Sequence, residues 1–381
     1  MRSTLPHIVY ILTKLELGGA QKICLTLAHA MTSEPNSATL ISGPEGILLN
    51  EALQLKNTIL LKSLKREISV VSLWQEIVTF ISLIKILRKL KKQYDKIIVH
   101  THSTKAGIIG RWAAYLAGIP TIVHTVHGYG FHEYQQGLTW LLIYTAEWLT
   151  QWITTHFIFV SEHDKKTGAR LLKQTRKKNS IIRAAVDWQS FFHLNTKTIT
   201  HKIIIGSIAC FKPQKNCLEL LQAVGSIIKK LSPTYDIHLE LIGDGIQRPQ
   251  LEAWIKKENL SNNIHLLGWQ NNVARYMQHW HLFALSSLWE GLPCAIIEAR
   301  LSQLPVVAYA VGGIPEVITN NHNGFLINPH DWQTLAEKIE FLILNPNAYK
   351  SMAQAQDNLD NFKNEIMIDK HKTLYLQSTP H

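Results

Sequence analysis

Short apolar runs typical of buried strands alternate with helix-length segments along the whole chain, and this alternation constrains the fold most strongly. In the first half the strand-like runs are HIVYIL, KIIVHTH, TIVHTVHG and HFIFVS, with segments such as KAGIIGRWAAYLAG between them. In the second half they are KIIIGSIA, IHLELIGDG, NIHLLGW, HLFALSS and PVVAYAV. Repeated strand–helix alternation builds parallel sheets covered by helices. The sequence therefore predicts an α/β protein with two doubly wound, Rossmann-like sheets, one in each half.

The domain boundary is predicted where this alternation stops. The 381 residues are enough for two hydrophobic cores, and a polar, threonine-rich stretch separates the two sets of strands. We predict an N-terminal domain over residues 1–187, a linker over residues 188–200 and a C-terminal domain over residues 201–364. Residues 365–381 are predicted to form a C-terminal helix that can pack back on the N-terminal domain.

Several features indicate a cytosolic protein. The four cysteines contain no CxxC pair, which favours a reduced setting without a disulfide framework. The apolar run near the N-terminus is short and followed by charge, so we expect no secretory signal. The most apolar long segment, LTWLLIYTAEWLTQWITTHFIFV, contains Glu147 and His156 and merges into a strand. We expect it to be a core helix rather than a membrane-spanning one.

The positive charge is confined to one half of the chain. Residues 1–200 contain 24 of the 39 lysines and arginines but only 12 of the 28 aspartates and glutamates. The net charge is therefore +12 in this half and −1 in the remainder, where 15 basic residues meet 16 acidic ones. A field restricted to one domain indicates an anionic partner: membrane phospholipid, a lipid-linked phosphate or nucleic acid. A merely well-solvated surface is the alternative.

The segment SLIKILRKLKKQYDK reads as a basic amphipathic helix. Its cations form a candidate acceptor or membrane contact, and they are Lys85, Arg88, Lys89, Lys91 and Lys92. Such a helix can lie on an anionic bilayer surface with its cations reaching the headgroups. It can equally pack its apolar stripe on a sheet, and both arrangements can hold at once.

The strongest functional clue is the stretch SSLWEGLPCAIIEA. Pro293 suits the first turn of a helix, so Glu290 is predicted to precede the helix and Glu298 to lie about two turns inside it. At the helical rise per residue, the step between the two glutamates spans on the order of 12 Å. A helix amino terminus suits a phosphate, whereas carboxylates suit sugar hydroxyls. The spacing predicts a sugar nucleotide bound with one ring at each end of its diphosphate.

With these motifs taken together, the chain resembles the retaining glycosyltransferases of family 4, which have the GT-B fold. The resemblance rests on E-x7-E headed by EGLP and followed by VVAYAVGGIPEVI, with five further segments in order: LELGGAQ, HSTKAGIIGRWAAYLAGIPTIVHTVHG, IACFKPQKN, LIGDG and LGWQNNVARYMQHWHLFALSSLWEGLP. It covers nearly the whole chain and implies two Rossmann-like domains facing a central cleft. The block HSTKAGIIGR…VHTVHGYGFH is most similar to bacterial members that assemble surface polysaccharide.

The resemblance implies roles for individual residues. Glu298 would bind the ribose hydroxyls, Glu290 would face the transferred sugar, and His127 would lie beside the reacting carbon. Lys215 would neutralise the diphosphate. Glu290 and His127 are thus the candidate catalytic residues. The other donor-binding candidates are two glycines of the first loop, one lysine and four backbone positions: Gly18, Gly19, Lys212, Gly268, Gly291, Leu292 and Pro293.

The sequence departs from the family pattern at Cys210, which stands where the family usually has an arginine five residues before the phosphate-binding lysine. The leaving diphosphate needs positive charge, because the resemblance implies that no metal replaces it. We expect Lys212 to substitute, with Arg111 or another cation of the first domain as the alternative. His100 and His102 share one face of a strand and are interpreted as packed histidines rather than zinc ligands.

The expected activity is retaining transfer of a hexosyl or N-acetylhexosaminyl group from a nucleoside-diphosphate sugar to a membrane-associated glycan or lipid-linked acceptor. A UDP-sugar is favoured over a GDP-sugar, and no cofactor or metal is expected. The predicted location is the inner face of the cytoplasmic membrane, as a peripheral protein in polysaccharide, O-antigen or capsule assembly. Alternatives are a nucleotide-sugar epimerase, a catalytically lapsed sugar-nucleotide-binding protein, and a nucleic-acid-binding protein. The last lacks the aromatic and basic interleaving of a base-stacking groove.

Overall fold

The computed structural model describes residues 5–32, 38–65, 73–132, 134–135, 137–176, 178–192 and 197–378. The chain forms two compact units: Met1–Ala185 together with Asn364–His381, and Val186–Lys363. The boundary therefore lies two residues before the predicted position. The described part of the predicted linker belongs to the second unit, because Ser302 Oγ donates to the carbonyl oxygen of Phe191 at 3.1 Å.

The first unit is built on a seven-stranded parallel sheet in the order β3-β2-β1-β4-β5-β6-β7. The strands are β1 (His7–Ile11), β2 (Ala38–Ser42), β3 (Thr58–Leu60), β4 (Ile97–His102), β5 (Thr121–Val126), β6 (His156–Phe159) and β7 (Asn179–Ile181). In the centre, Ile8 and Val9 of β1 pair with Ile98 and Val99 of β4. Every residue of β1, β4 and β5 is buried, as expected for a parallel sheet covered on both faces.

Helices cover this sheet. They are α1 (Gly19–Thr32), α2 (Leu49–Ala52), α3 (Leu73–Gln93), α4 (Thr104–Leu116), α5 (Leu138–Thr150) and α6 (Glu162–Leu171). The stripe Leu83, Leu87 and Leu90 of α3 is buried against α4 and the sheet. The apolar side of the basic amphipathic helix therefore packs on the protein core, and its polar side remains at the surface.

The second unit contains a six-stranded parallel sheet in the order β10-β9-β8-β11-β12-β13. The strands are β8 (Lys202–Ile208), β9 (Asp236–Ile242), β10 (Ile264–Gly268), β11 (Leu282–Leu285), β12 (Val306–Tyr309) and β13 (Gly324–Ile327). The helices are α7 (Trp188–Phe191), α8 (Cys217–Leu231), α9 (Arg248–Lys257), α10 (Val273–Met277), α11 (Cys294–Leu301), α12 (Trp332–Leu344) and α13 (Pro346–Ala353).

The chain returns to the first unit through α14 (Asn364–Ser378). The hydroxyl of Tyr375 lies 2.6 Å from His100 Nδ1 and 3.2 Å from the hydroxyl of Tyr10. Thr121 Oγ1 donates to the carbonyl oxygen of Ser378 at 3.0 Å. These contacts attach the last helix to the first sheet. No helix in the described ranges has the length and apolar character needed to cross a membrane.

Both sheets have a point at which the strand order reverses. In the first unit it lies between β1 and β4, and in the second unit between β8 and β11. In doubly wound folds, ligands bind at such switch points, outside the carboxyl ends of the strands. The loops that follow these four strands are therefore the first places to look for a site.

Candidate active site

The loop after β8 carries the two lysines predicted to hold the diphosphate. Pro213–Lys215 form a 3₁₀ turn, and Asn216 takes a left-handed conformation (φ 46°) that starts α8. The Lys212 side chain is half-buried. Nowhere in the described structure does its ammonium group meet a hydrogen-bond or ion-pair partner. It is therefore available to a ligand.

The loop after β11, residues 286–293, is hydrogen-bonded to this first loop. The backbone N–H of Leu288 donates to the Gln214 carbonyl oxygen at 2.8 Å, and Gln214 Nε2 donates to the Trp289 carbonyl oxygen at 2.8 Å. The hydroxyl of Ser286 lies 3.1 Å from the Lys215 carbonyl oxygen and 2.9 Å from that of Asn216. The two loops at the switch point thus form one connected unit.

Lys215 and Glu290 form an ion pair between these loops. The Lys215 side chain is 19% exposed and that of Glu290 is 7% exposed. Both were predicted as site residues, one for the diphosphate and one for the sugar, and the structure brings them together. A lysine ammonium has three donors, so it can hold the carboxylate and a phosphate oxygen at once.

A third loop, after β12, packs against the backbone of Glu290 and Gly291. Gly312, after β12, has φ +55°, and a Cβ atom there would lie 2.0 Å from the backbone oxygen of Glu290. The N–H of Gly313 donates to the Gly291 carbonyl oxygen at 2.7 Å. These glycines lie in the motif VVAYAVGGIPEVI, but this supporting role was not predicted from the sequence.

Helix α11 begins later than predicted. Pro293 is its N-cap residue, with ψ 112°, so the proline lies outside the first turn. Glu298 is the fifth residue of α11 and half-buried, about one turn inside the helix rather than two. Because residues 290–293 are not helical, the helical estimate of 12 Å between the two glutamates does not apply. Gly291 and Pro293 are buried, and Leu292 is 8% exposed.

The remaining donor-binding glycines lie at strand ends. Gly268 ends β10 with φ +69° and accepts a hydrogen bond from the N–H of Gly243 at 2.9 Å, outside the connected pair of loops. In the first unit, Gly18 and Gly19 follow β1, and neither has a positive φ. A Cβ atom on Gly18 would meet only the mobile end of Gln21 at 2.6 Å. Their predicted role in close approach to a diphosphate stays a prediction.

His127 follows β5 and is half-buried. Its Nε2 atom lies 3.0 Å from Nδ1 of His102, which ends β4 and is fully buried. His100 contacts Thr125 Oγ1 at 2.7 Å as well as Tyr375. Burial, reinforced by neighbouring histidines, lowers the pKa of His102 well below its usual value and that of His127 to about 3. Both imidazoles are therefore neutral near neutral pH.

Arg111, the alternative cation considered for the diphosphate, is not available to contact it. Its side chain is fully buried, and its Nη2 atom lies 2.7 Å from Glu147 Oε2. It also donates to the carbonyl oxygen of Gly107 at 2.8 Å and to Thr154 Oγ1 at 3.1 Å. Arg111 is a structural cation of the first unit.

The five cations of α3 are all exposed. Arg88 donates to the carbonyl oxygen of Leu116 at 3.1 Å, and Lys91 donates to that of Gly118 at 2.6 Å, which ties the end of α3 to the end of α4. Lys85, Lys89 and Lys92 point to solvent without a partner in the described ranges. All four cysteines are free thiols. Within the residues that the structure describes, no group of three or more histidine, cysteine or carboxylate side chains could hold a metal ion.

Comparison with known proteins adds to this geometry. Residues 17–189 match the family model Glycosyltransferase Family 4, and residues 191–358 match Glycosyl transferases group 1. A UDP-Gal:alpha-D-GlcNAc-diphosphoundecaprenol alpha-1,3-galactosyltransferase of Escherichia coli is 31% identical over 378 residues, which is 94% of each chain. The capsular polysaccharide biosynthesis glycosyltransferase CapM of Staphylococcus aureus is 23% identical over 77% of this chain and 80% of its own. Among solved structures, Anabaena HepE in complex with UDP and glucose superimposes with a TM-score of 0.80 at 18% identity, over 97% of this chain and 99% of that one.

Proposed function

The chain belongs to glycosyltransferase family 4 and has the GT-B fold, and from this premise we propose that it transfers a sugar from a UDP-sugar to a lipid-linked glycan with retention of configuration. The observation that carries the proposal is the Lys215–Glu290 ion pair at the switch point of the second sheet. It places a cation and a carboxylate side by side, ahead of the amino end of α11. A departing diphosphate needs the cation, and sugar hydroxyls suit the carboxylate.

The second unit would hold the donor. In the reaction, the bond between the anomeric carbon and the phosphate oxygen breaks, and the electron pair leaves with UDP. The acceptor oxygen bonds to the anomeric carbon on the same face, and the acceptor proton passes to the departing phosphate oxygen. Lys215 and Lys212 would stabilise the negative charge that develops on that phosphate. Stabilisation of this kind by preorganised charges is usually the largest single contribution to catalysis.

Glu290 and His127 would position the sugar without forming a covalent bond to it. A carboxylate accepts hydrogen bonds from hydroxyls, and a neutral imidazole can donate one hydrogen bond to an oxygen of the sugar. Glu298, on α11, would accept hydrogen bonds from the ribose. The transferred group would be a hexosyl or N-acetylhexosaminyl residue.

The printed names of similar proteins support the choice of substrates. The Escherichia coli relative takes UDP-galactose and a diphosphoundecaprenol-linked acceptor, and Anabaena HepE was solved with UDP. An α-linkage, as in the name of that relative, is the product that retention gives from an α-configured donor. The net charge of +12 in residues 1–200 suits an acceptor that carries a diphosphate at an anionic membrane. We therefore propose a peripheral enzyme at the inner face of the cytoplasmic membrane.

A thermal-shift comparison of UDP, GDP, UDP-galactose and UDP-N-acetylglucosamine tests donor binding. A ligand at about 100 times its Kd raises the free energy of unfolding by about 2.7 kcal/mol. We expect UDP and its sugars to raise the melting temperature of the wild type, and to raise that of Lys215→Met by clearly less. The matched control Lys256→Met, on exposed α9, should respond as the wild type does. If no nucleoside diphosphate shifts the melting temperature, the proposal is wrong.

A transfer assay tests the reaction itself. UDP-galactose is incubated with synthetic GlcNAc-diphosphoundecaprenol, and the anomeric configuration of the product is read by NMR. An α-linked galactoside supports retention, whereas a β-linked product contradicts it. Isomerisation of a UDP-sugar without any acceptor would establish the epimerase alternative instead.

A further inference from the structure

Helix α5 turns its apolar side to the solvent. The helix was predicted to lie in the core, but the structure exposes most of its large side chains. The exposed apolar residues, here called the α5 face, are Leu138, Leu141, Leu142, Trp148 and Leu149, together with Trp152 of the following 3₁₀ turn. Their exposed fractions range from 40% for Trp148 to 70% for Leu138. Contiguous apolar surface of this kind marks an interaction site.

The inner side of α5 carries the charge. Glu147 is its single charged residue, and it points inward to the buried guanidinium of Arg111. The charged side of this helix therefore faces the protein interior and its apolar side faces the solvent, the reverse of an ordinary surface helix. A helix that buries its carboxylate in an ion pair and exposes leucine and tryptophan is suited to an outer environment that is itself apolar.

A basic groove lies beside the carboxyl end of α5. It has a volume of about 640 Å³, and its lining includes Tyr144, Trp148, Trp152, Arg170, Lys173 and Arg176. Among the residues that the structure describes, no carboxylate lines this groove. Arg176 Nε donates to the carbonyl oxygen of Ala169 at 2.5 Å, and neither Arg170 nor Lys173 is ion-paired to any residue of the described chain. The groove therefore offers cations and aromatic rings to an anionic group.

We propose that the α5 face and the basic groove bind the surface of an anionic bilayer. The leucines and tryptophans would enter the boundary between headgroups and acyl chains, where tryptophan is enriched. The groove cations would contact the lipid phosphates. The proposal rests on the proposed function only in that a lipid-linked acceptor brings the enzyme to a membrane.

The surface continues toward the cations of α3. Trp112 Nε1 donates to Thr150 Oγ1 at 2.9 Å, which joins α4 to the end of α5. Tyr115 and Leu116, at the end of α4, are 54% and 47% exposed, and Arg88 of α3 donates to the Leu116 carbonyl oxygen. The end of α4 thus places exposed apolar side chains next to a cation of α3. This charge favours an anionic bilayer over a second copy of the chain, because a two-fold contact would bring like-charged grooves into one interface.

Vesicle co-sedimentation tests the proposal, with phosphatidylcholine vesicles prepared with and without phosphatidylglycerol. Each lysine or arginine near an anionic bilayer surface strengthens the binding of a protein to that surface by about fivefold. We therefore expect Arg170→Gln with Lys173→Gln to weaken binding to phosphatidylglycerol vesicles by about 25-fold, from the same contribution per cation. Trp148→Ser with Trp152→Ser should weaken binding to both vesicle types and reduce quenching of tryptophan fluorescence by brominated lipids.

Matched controls lie on the second unit. Ile246→Ser removes a side chain that is 79% exposed, and Lys256→Gln with Lys257→Gln removes two exposed cations of α9. Both should bind vesicles as the wild type does. If the α5-face and groove variants also bind as the wild type does, or if the controls lose binding equally, the proposal is overturned.

Two further readouts separate the possible outcomes. If the wild type sediments as a dimer and the variant with Trp148→Ser and Trp152→Ser sediments as a monomer, the α5 face binds a second copy of the chain and the proposal is overturned. The UDP thermal shift is measured on every variant. Loss of vesicle binding with the UDP shift intact supports the membrane surface, whereas a missing UDP shift in the wild type counts against the proposed function alone.

Discussion

The ammonium of Lys215 and the carboxylate of Glu290 form an ion pair that joins the loops after β8 and β11 of the second unit. The two residues are 75 positions apart, and the switch in strand order brings their loops together. Since both side chains are largely shielded from water, the pair fixes the direction of the lysine. A phosphate that arrives at Lys215 therefore meets a cation that is already oriented but also close to a negative charge.

Opposite effects on UDP affinity are expected from the two partners. Lys215→Met removes a charged donor, and because such a hydrogen bond contributes about 1.5–3 kcal/mol, UDP should bind roughly 10- to 100-fold more weakly. Glu290→Gln keeps the shape but removes the repulsive charge, so UDP should bind up to about fivefold more tightly, from a Coulomb energy near 1 kcal/mol. Sugar transfer should nevertheless be slower in this variant. Isothermal titration calorimetry and initial rates check both; equal weakening by both substitutions would contradict the assignment.

Lys212 is expected to do the work of the arginine that Cys210 replaces. Lys212→Met should weaken UDP binding about fivefold, because the partly exposed cation contributes about 1 kcal/mol to a phosphate. If the two positions serve one purpose, Cys210→Arg in the Lys212→Met background should restore UDP affinity. Titration calorimetry on both variants and on Cys210→Arg alone provides the comparison. An unchanged affinity in Lys212→Met would show that Lys212 does not contact the diphosphate.

The contact between His102 and His127 determines which nitrogen His127 offers to a substrate. Nε2 of His102 is buried without a hydrogen-bond partner in the described residues, so a proton there would be an unsatisfied donor. We infer that the proton of His102 is on Nδ1 and is donated to Nε2 of His127. His127 then carries its own proton on Nδ1 and presents an N–H donor there.

Substitution of His102 tests this positioning. His102→Ala removes the donor, and kcat is expected to fall roughly tenfold, since a hydrogen bond contributes about 0.5–1.5 kcal/mol. KM for the UDP-sugar should change little, because the second unit would hold the nucleotide. His102→Asn keeps an N–H near the position of Nδ1 and should recover much of kcat. A purely structural role would instead lower the melting temperature of both variants and leave their kcat values alike.

Acid is expected to destabilise the first unit. Burial lowers the pKa of His100 and His102 well below the usual value and that of His371 to about 4. In the unfolded chain these histidines bind protons below about pH 6.5. The unfolded state therefore holds more protons between about pH 6.5 and pH 4, and the free energy of unfolding falls as the pH falls through this range. Each histidine contributes up to about 1.4 kcal/mol per pH unit.

Urea unfolding of the first unit at a series of pH values measures this slope. His371→Asn keeps a group near Nδ1 that can donate to the Met367 carbonyl oxygen, but it cannot titrate. The slope between pH 6.5 and pH 4 should therefore decrease by about one proton. His322→Asn, an exposed substitution in the second unit, serves as the control for a histidine-to-asparagine change outside the first unit. Equal slopes in wild type and His371→Asn would contradict the expectation.

Much of the fold follows from the sequence because long, buried parallel strands give strong apolar runs. The family and the GT-B fold predicted from the motifs are confirmed by the comparisons. The strands β2, β3, β7 and β13 were not predicted, and two of them, β3 and β7, are three-residue edge strands that carry little apolar signal. Residues 188–192 were predicted as linker but belong to the second unit, where Ser302 donates to the Phe191 carbonyl oxygen; the polar sequence around them does not indicate this packing.

Side-chain partners were harder to predict than the residues themselves. Lys215 and Glu290 were both identified, but their ion pair depends on the strand order of the sheet, which periodicity does not show. The supporting role of Gly312 depends on a close approach of two loops. The outward apolar face of α5 could not be predicted, because an apolar helix with one glutamate reads as a core helix until the position of Arg111 is known.

The pair of Arg111 and Glu147 gives the last prediction, which separates stability from function. Both side chains are almost completely buried, so removing one partner leaves an uncompensated charge, at a cost of about 3–5 kcal/mol in the free energy of unfolding. Arg111→Met should show this loss in urea unfolding. The double variant Arg111→Met with Glu147→Leu should recover much of it, because no charge remains buried. Since neither residue faces the donor, the Kd for UDP should stay within error of the wild type in every variant that folds; weaker UDP binding in the stable double variant would return Arg111 to the donor site.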